Sequence, residues 1–258
     1  MLWEWDSMIR RTVMGVLAGL AGSAAAAAAQ TTVTVRVVSH DAKIIGTGVG
    51  GARVVIRDAA TGAVLAEGEQ QGGTGDTRLI MQDPRVRGTS PFDTPDAAHF
   101  VATVAIDTPT VVEIMAEAPL GFPHAMQRGS VTALLIPGQE VRGEGIVIEL
   151  RGFIVELLEP ASTASRGSTP VRARVRMLCG CPFTAGGLWD ATRMTVVARV
   201  VDGARILAEA PLGFSGEPNI WAGEIAVPEA PPGARLQVLA SDAERGNFGR
   251  SEARPVGR

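Results

Sequence analysis

Residue types able to do unusual chemistry are concentrated in one stretch, Met177-Leu178-Cys179-Gly180-Cys181-Pro182, which holds both cysteines of the 258-residue chain. Two thiolates with a thioether two residues upstream form a soft donor set, the kind that selects Cu(I). The spacing also admits a disulfide. An extended i,i+2 pair sits near the upper limit of about 6.8 Å for bridged Cα atoms, so the bond needs a bent backbone, which Gly180 permits. A third reading treats both residues as small buried hydrophobes, the usual behaviour of free cysteine. Copper site, redox or structural disulfide, and plain packing all remain open. Trp189, in the loop that follows, could stack on a ligand or cover a metal.

The rest of the inventory narrows the chemistry. A lone Cys-x-Cys lacks the second pair that completes a tetrahedral zinc site, and His40, His99 and His124 all precede residue 150. No nucleophile elbow, zinc-protease helix or phosphate-binding glycine loop occurs. The chain has no tyrosine, which removes acid, base and radical chemistry built on phenols. Net charge is -3, and Lys43 is the only lysine, so no basic footprint for nucleic acid is expected. Asp58 and Asp76 sit in loops without the dense oxygen spacing of a calcium site. Arg172, Arg174 and Arg176 line one side of a strand; a solvated face paired with acids such as Glu156 is favoured over an anionic partner. The sum favours a non-enzymatic binding or accessory module with a Cu(I) site at Met177, Cys179 and Cys181. The alternatives are a thiol–disulfide redox protein using the same pair and a purely structural or protein-interaction module.

The elements that must position these residues follow from alternation. Val33, Val35 and Val37 share one face while Thr32, Thr34 and Arg36 share the other, the period-two signature of a half-buried strand. Residues 52–57 and 63–67 flank Asp58-Ala59-Ala60-Thr61-Gly62 and form a hairpin, with glycine where the turn needs positive φ. Further strands are expected at 77–81, 100–106, 110–118, 131–136 and 146–150. A second series is expected at 153–158, 171–178, 194–201, 205–209, 221–227 and 236–241. The same alternation puts Val171, Ala173, Val175, Met177, Cys179 and Cys181 on one core-facing row. Trp221, alternating with Gly223 and Ile225, belongs to the core. The polar stretch 159–170 is a loop within the second half. The expected class is all-β, with two tandem antiparallel β-sandwich domains over 30–150 and 151–258.

Two resemblances support that division. The run GARVVIRDAATGAVLAEGE from Gly51, the turn GGTGDT and the strands HFVATVAI and TVVEIMAEA resemble the transthyretin-like, carboxypeptidase-regulatory type of sandwich. Enzymes of that group carry a Tyr-containing C-terminal motif, which a chain without tyrosine does not have. From residue 151 the strand order resembles a bacterial immunoglobulin-like domain. The run QVLASDAERGNFGRSEARPV looks like its last two strands, joined through Asp242 and Gly246-Asn247-Phe248-Gly249. The inter-sheet disulfide of antibody domains is not implied, since the penultimate strand has no cysteine.

The N-terminus reads as an export signal. Arg10-Arg11, an apolar run from Val13 to Leu20 and small residues up to Ala29 follow the order of a secretory peptide, with cleavage expected after Ala29. The apolar run is shorter than the roughly 20 residues of a spanning helix. The mature chain is therefore expected in the periplasm or outside the cell with no membrane span, meeting another exported protein or a surface component. One heptapeptide occurs twice, Ala-Glu-Ala-Pro-Leu-Gly-Phe at 116–122 and 208–214. Both copies read as strand-to-turn junctions, with proline and glycine ending the ladder.

Overall fold

Alternating β-branched residues bury one face of each strand, and the fold is the result of closing those faces on one another. In the computed structural model, residues 29–160, 164, 167–229 and 231–256 are described. The expected export signal, residues 1–29, lies outside this set except for Ala29, which opens the first strand. The described residues are almost all β, as expected.

The first half contains β1 (Ala29–Ser39), β2 (Ala52–Asp58), β3 (Val64–Gln70), β4 (Phe100–Ile106), β5 (Thr110–Ala118), β6 (Gln127–Leu135) and β7 (Glu140–Leu150). They form two sheets, β4-β1-β7 and β3-β2-β5-β6. Val33, Val35 and Val37 point into the core between them, with Val54, Ile56, Ile114 and Ile148. Pairing is antiparallel except for β1 with β7, which run parallel. This departs from the purely antiparallel expectation, because β6 and β7 lie in different sheets and β7 returns beside β1.

Residues 71–99 cross the outer face of the three-stranded sheet and bury Ile80, Phe92 and Ala98 against Val38 and Ile44 in a small separate core. Arg36, only 2% exposed, anchors this cover. Its guanidinium donates to the carbonyl of Glu144 at 2.8 Å and pairs with Asp93 at 2.6 Å. The strand expected at 77–81 is instead a π-helical turn, Arg78–Gln82. The Asp76 carboxylate accepts the Leu79 N–H at 2.8 Å, and this local bond outweighs a short apolar run of which only Ile80 is buried.

The second half contains β8 (Phe153–Glu159), β9 (Gly167–Met177), β10 (Thr195–Asp202), β11 (Arg205–Phe214), β12 (Ile220–Val227), β13 (Arg235–Asp242), β14 (Asn247–Arg250) and β15 (Arg254–Pro255). Hydrogen bonds connect them in the order β14-β13-β10-β11-β12-β9-β8, with β15 on β13. β11 belongs to both faces: it pairs with β10 as far as Leu212, then with β12 through Gly213 and Phe214. A strand that switches sheets turns the corner of a sandwich. Between the faces lie Val171, Ala173, Val175, Leu236, Val238 and the fully buried Trp221, as the alternation required. β13 and β14 are joined by the turn from Asp242 to Asn247, where the Asp242 carboxylate accepts the Arg245 N–H at 3.2 Å.

Candidate functional site

The cysteine stretch leaves β9 at Met177 and reverses at once. Gly180 donates its N–H to the Met177 carbonyl at 2.8 Å, and Met177 donates to the Cys181 carbonyl at 3.3 Å. Gly180 has φ of +79°, a backbone region side chains rarely adopt. The bend brings the two Cα atoms to 5.4 Å and the sulfurs are bonded to each other. Of the open readings for this pair, the structure shows the disulfide. A bonded pair offers no thiolate, so Cu(I) on Met177, Cys179 and Cys181 together is chemistry of the reduced chain.

Placement matters more than the bond itself. Met177, Cys179 and Cys181, at 2%, 5% and 5% exposure, lie in the core of the second half, as their row predicts. Leu178, between them on the opposite side and 0% exposed, lies in the core of the first half with Ile154. Val49 of the first half backs the turn so closely that a Cβ on Gly180 would meet its Cγ1 at 3.0 Å. One tight turn thus contributes to both cores.

Further bolts surround it. Trp189 is 9% exposed and donates its indole N–H to the Asp41 carbonyl at 2.9 Å. The Asp41 carboxylate pairs with Arg245 at 2.5 Å, and Arg245 also pairs with Asp242 at 3.1 Å. Burial works against the Arg245 charge, yet the bond to Asp242 and the carboxylates of Asp41, Asp242 and Glu244 outweigh it and raise its pKa. Asn247 accepts the Gly152 N–H at 2.9 Å and donates to the His40 carbonyl at 3.4 Å. On the far side of the turn, His124 bonds the Val155 carbonyl at 3.0 Å, and the Arg176 guanidinium lies 4.9 Å from the centre of the Phe122 ring.

On the Trp189 side of the turn lies a cavity of about 200 Å³, walled by Phe153, Met177, Phe183, Trp189 and Met194 and rimmed by Asp41, Asp242 and Arg245. The Asp190 carboxylate caps the loop beside it, accepting N–H groups of Thr192 at 3.0 Å and Gly186 at 2.9 Å. Those two bonds hold its pKa below the ordinary carboxylate range. Trp189, expected as a stacking or covering residue, is a wall of this cavity with its polar edge already committed.

Other expected residues are dispersed. His40 faces Glu149 at 2.5 Å, and His99 bonds the Ala97 carbonyl at 2.9 Å. Among the described residues no three His, Cys, Asp or Glu side chains converge as a metal group. The arginine stripe meets acids as expected, Arg172 with Glu217 at 2.6 Å and Arg176 with Glu156 at 2.8 Å, but only Arg172 and Arg174 face solvent, because Arg176 is half-buried against Phe122 at the joint. Sequence reasoning missed Leu178, Asp41, Met194 and Arg245. Only Leu178 carried a signal, an apolar residue on the face opposite the core row.

No protein-family model matches the chain, and no curated protein matches its sequence. Among solved structures, one chain of the crystal structure of ICOS in complex with ICOS-L and an anti ICOS-L VNAR domain aligns at 9% identity, covering 87% of this chain and 94% of its own, with a TM-score of 0.22. A variant of the major pilin from Streptococcus pyogenes aligns at 12% identity over 89% of this chain and 100% of its own, with a TM-score of 0.19. At those scores neither carries an argument about this molecule. Among the described residues no helix is long and apolar enough to cross a membrane.

Proposed function

We propose that the chain is an exported, non-enzymatic accessory module in which a transthyretin-like and an immunoglobulin-like sandwich are bolted into one stiff arm that docks an exported protein or surface component. The observation that supports this reading is the turn 177–181, which sets its bonded cysteines in one core and Leu178 in the other. A bonded pair suits an oxidising compartment. Its burial favours a structural role over redox exchange, because exchange requires a thiolate to reach a sulfur and depends on access.

Two measurements on the protein recovered from its host test this. Its mass should show the loss of two hydrogens relative to the reduced chain, and it should unfold in a single cooperative transition. Replacing both cysteines with alanine should lower Tm or split the transition while host function survives at permissive temperature. A variant that keeps the wild-type Tm but loses host function would overturn the structural reading in favour of the redox one.

A further inference from the structure

We propose that β6 is a dimerisation edge, along which two copies of the chain pair antiparallel about a two-fold axis near Thr132 and join their four-stranded sheets into one. This goes beyond the docking role and does not depend on it. β6 ends its sheet, in the order β3-β2-β5-β6, and among the described residues no strand pairs with its far side. The residues whose groups face that side follow from the ladder. The Ala59 N–H donates to the Val111 carbonyl at 2.9 Å, so the main-chain groups of Val111 point toward β2 and away from β6. Val111 stands opposite Leu134. The two therefore form a non-hydrogen-bonded pair, in which the groups of both residues point outward. Leu134, Thr132, Ser130 and Arg128 present their N–H and C=O groups to the open edge, and all four residues are exposed.

An open edge is ordinarily guarded by charge, proline, a bulge or a covering element. β3 carries Glu67 and Glu69, and Phe100 of β4 packs on its Gly68 across the seam between the sheets. β7 carries Glu140, Arg142 and Glu144, and its register with β1 is broken. β6, by contrast, pairs with β5 in unbroken register and has no charged residue between Gly129 and Gln139. Along that stretch Val131 and Ala133 are only partly buried at the rim of the first core, and Leu134 and Ile136 are exposed. A second copy answers these features together. Its N–H and C=O groups meet their equivalents in alternation, and its Val131 and Ala133 cover the same residues across the axis. Arg128 then lies toward the Leu134 end of the other strand, away from its own equivalent, so no like charges stand opposite each other.

The test is the oligomeric state of the protein recovered from its host, measured by sedimentation equilibrium, with hydrogen exchange on the same samples. The wild-type chain should be a dimer that dissociates on dilution, and the amides of Ser130, Thr132 and Leu134 should exchange about an order of magnitude more slowly in the dimer than in the monomer. Thr132→Pro removes only an N–H that faces the open edge, a position where proline is tolerated, and Thr132→Lys brings two charges together at the axis. Each should leave circular dichroism unchanged and raise the dimer dissociation constant by at least an order of magnitude. Thr132→Val keeps the backbone groups, adds no charge and should keep the dimer. A wild-type chain that stays monomeric into the hundred-micromolar range would overturn the proposal. So would a dimer that survives Thr132→Lys, the variant that decides if proline disturbs the strand. None of these outcomes bears on the oxidised mass or on the joint between the halves, on which the docking role rests.

Discussion

Residues 116–122 and 208–214 share the sequence Ala-Glu-Ala-Pro-Leu-Gly-Phe, yet the first copy leaves β5 at Ala118 and turns, while the second runs unbroken to the end of β11 at Phe214. The difference lies in what each copy finds beside it. Beyond Ala118 the neighbouring strands offer no further register partner, and the N–H groups of Leu120 and Gly121 go instead to the carbonyls of Gly51 and Val49, at 3.2 and 2.9 Å. Beyond Ala210 a partner is always present, β10 as far as Leu212 and then β12. At Pro211 the second copy has a ladder on one side only, the edge setting in which proline is tolerated. Proline and glycine permit a turn, and available partners decide whether it happens. The expectation that both copies end a strand fails at the second for this reason.

The first copy also serves the joint, which the second does not. Its turn nests Gly121 against Gly50 and Val49, and Val49 backs the cysteine turn. The largest effect that should break the comparison is therefore at the far end of that contact chain. Leu178→Ala empties a fully buried site in the first core and should cost about 2–5 kcal/mol, lowering the denaturant midpoint of the whole molecule. A loss near zero would mean that Leu178 does not join the cores.

Next in size is Gly121→Ala. A Cβ there would lie 2.8 Å from the Val49 carbonyl oxygen and 3.1 Å from its carbon, both backbone atoms that cannot swing away. Overpacking of this kind costs about 1–3 kcal/mol, measured by urea unfolding. The substitution should also raise hydrogen exchange at Gly180, whose turn rests on Val49.

Smaller again is the contrast between the two phenylalanines. Phe122 carries the Arg176 guanidinium over its ring, whereas Phe214 meets Trp221 edge-on at 5.4 Å between centroids. Phe122→Leu keeps an apolar body and removes the ring face, so it should cost about 0.5–1 kcal/mol and shrink when Arg176→Met is already present, leaving only the edge contact with His124 at 6.2 Å. Phe214→Leu should show no such dependence on Arg176. A double-mutant cycle with equal coupling at both sites would erase the distinction.

How far this architecture is legible from sequence depends on the range of the interactions involved. Strands β4 and β5 are readable to the residue, because alternation is local and their neighbours reinforce it. The core row Met177, Cys179, Cys181 is readable for the same reason. Leu178 is readable only as facing the other way, since alternation names the face and not what covers it. The bond from Trp189 to Asp41 spans 148 positions, and Met194 joins the cavity through a turn with no distinctive spacing, so neither leaves a local trace. At 77–81 a single capping aspartate reverses the reading of five residues.

The smallest expected effect is the sharpest control. Gly213, the counterpart of Gly121, lies within a strand, and a Cβ there would meet only the Ala222 carbonyl oxygen at 3.9 Å. Nothing has to move, and the unfolded chain loses conformational freedom, so Gly213→Ala should stabilise the protein by about 0.4–1 kcal/mol. The same substitution in the same heptapeptide should then carry opposite signs at its two positions. If both variants destabilise equally, the heptapeptide's own conformational preferences outweigh its neighbours. If they separate as expected, the neighbours hold the first copy in its turn, and residues 49–50 are where that hold is exerted.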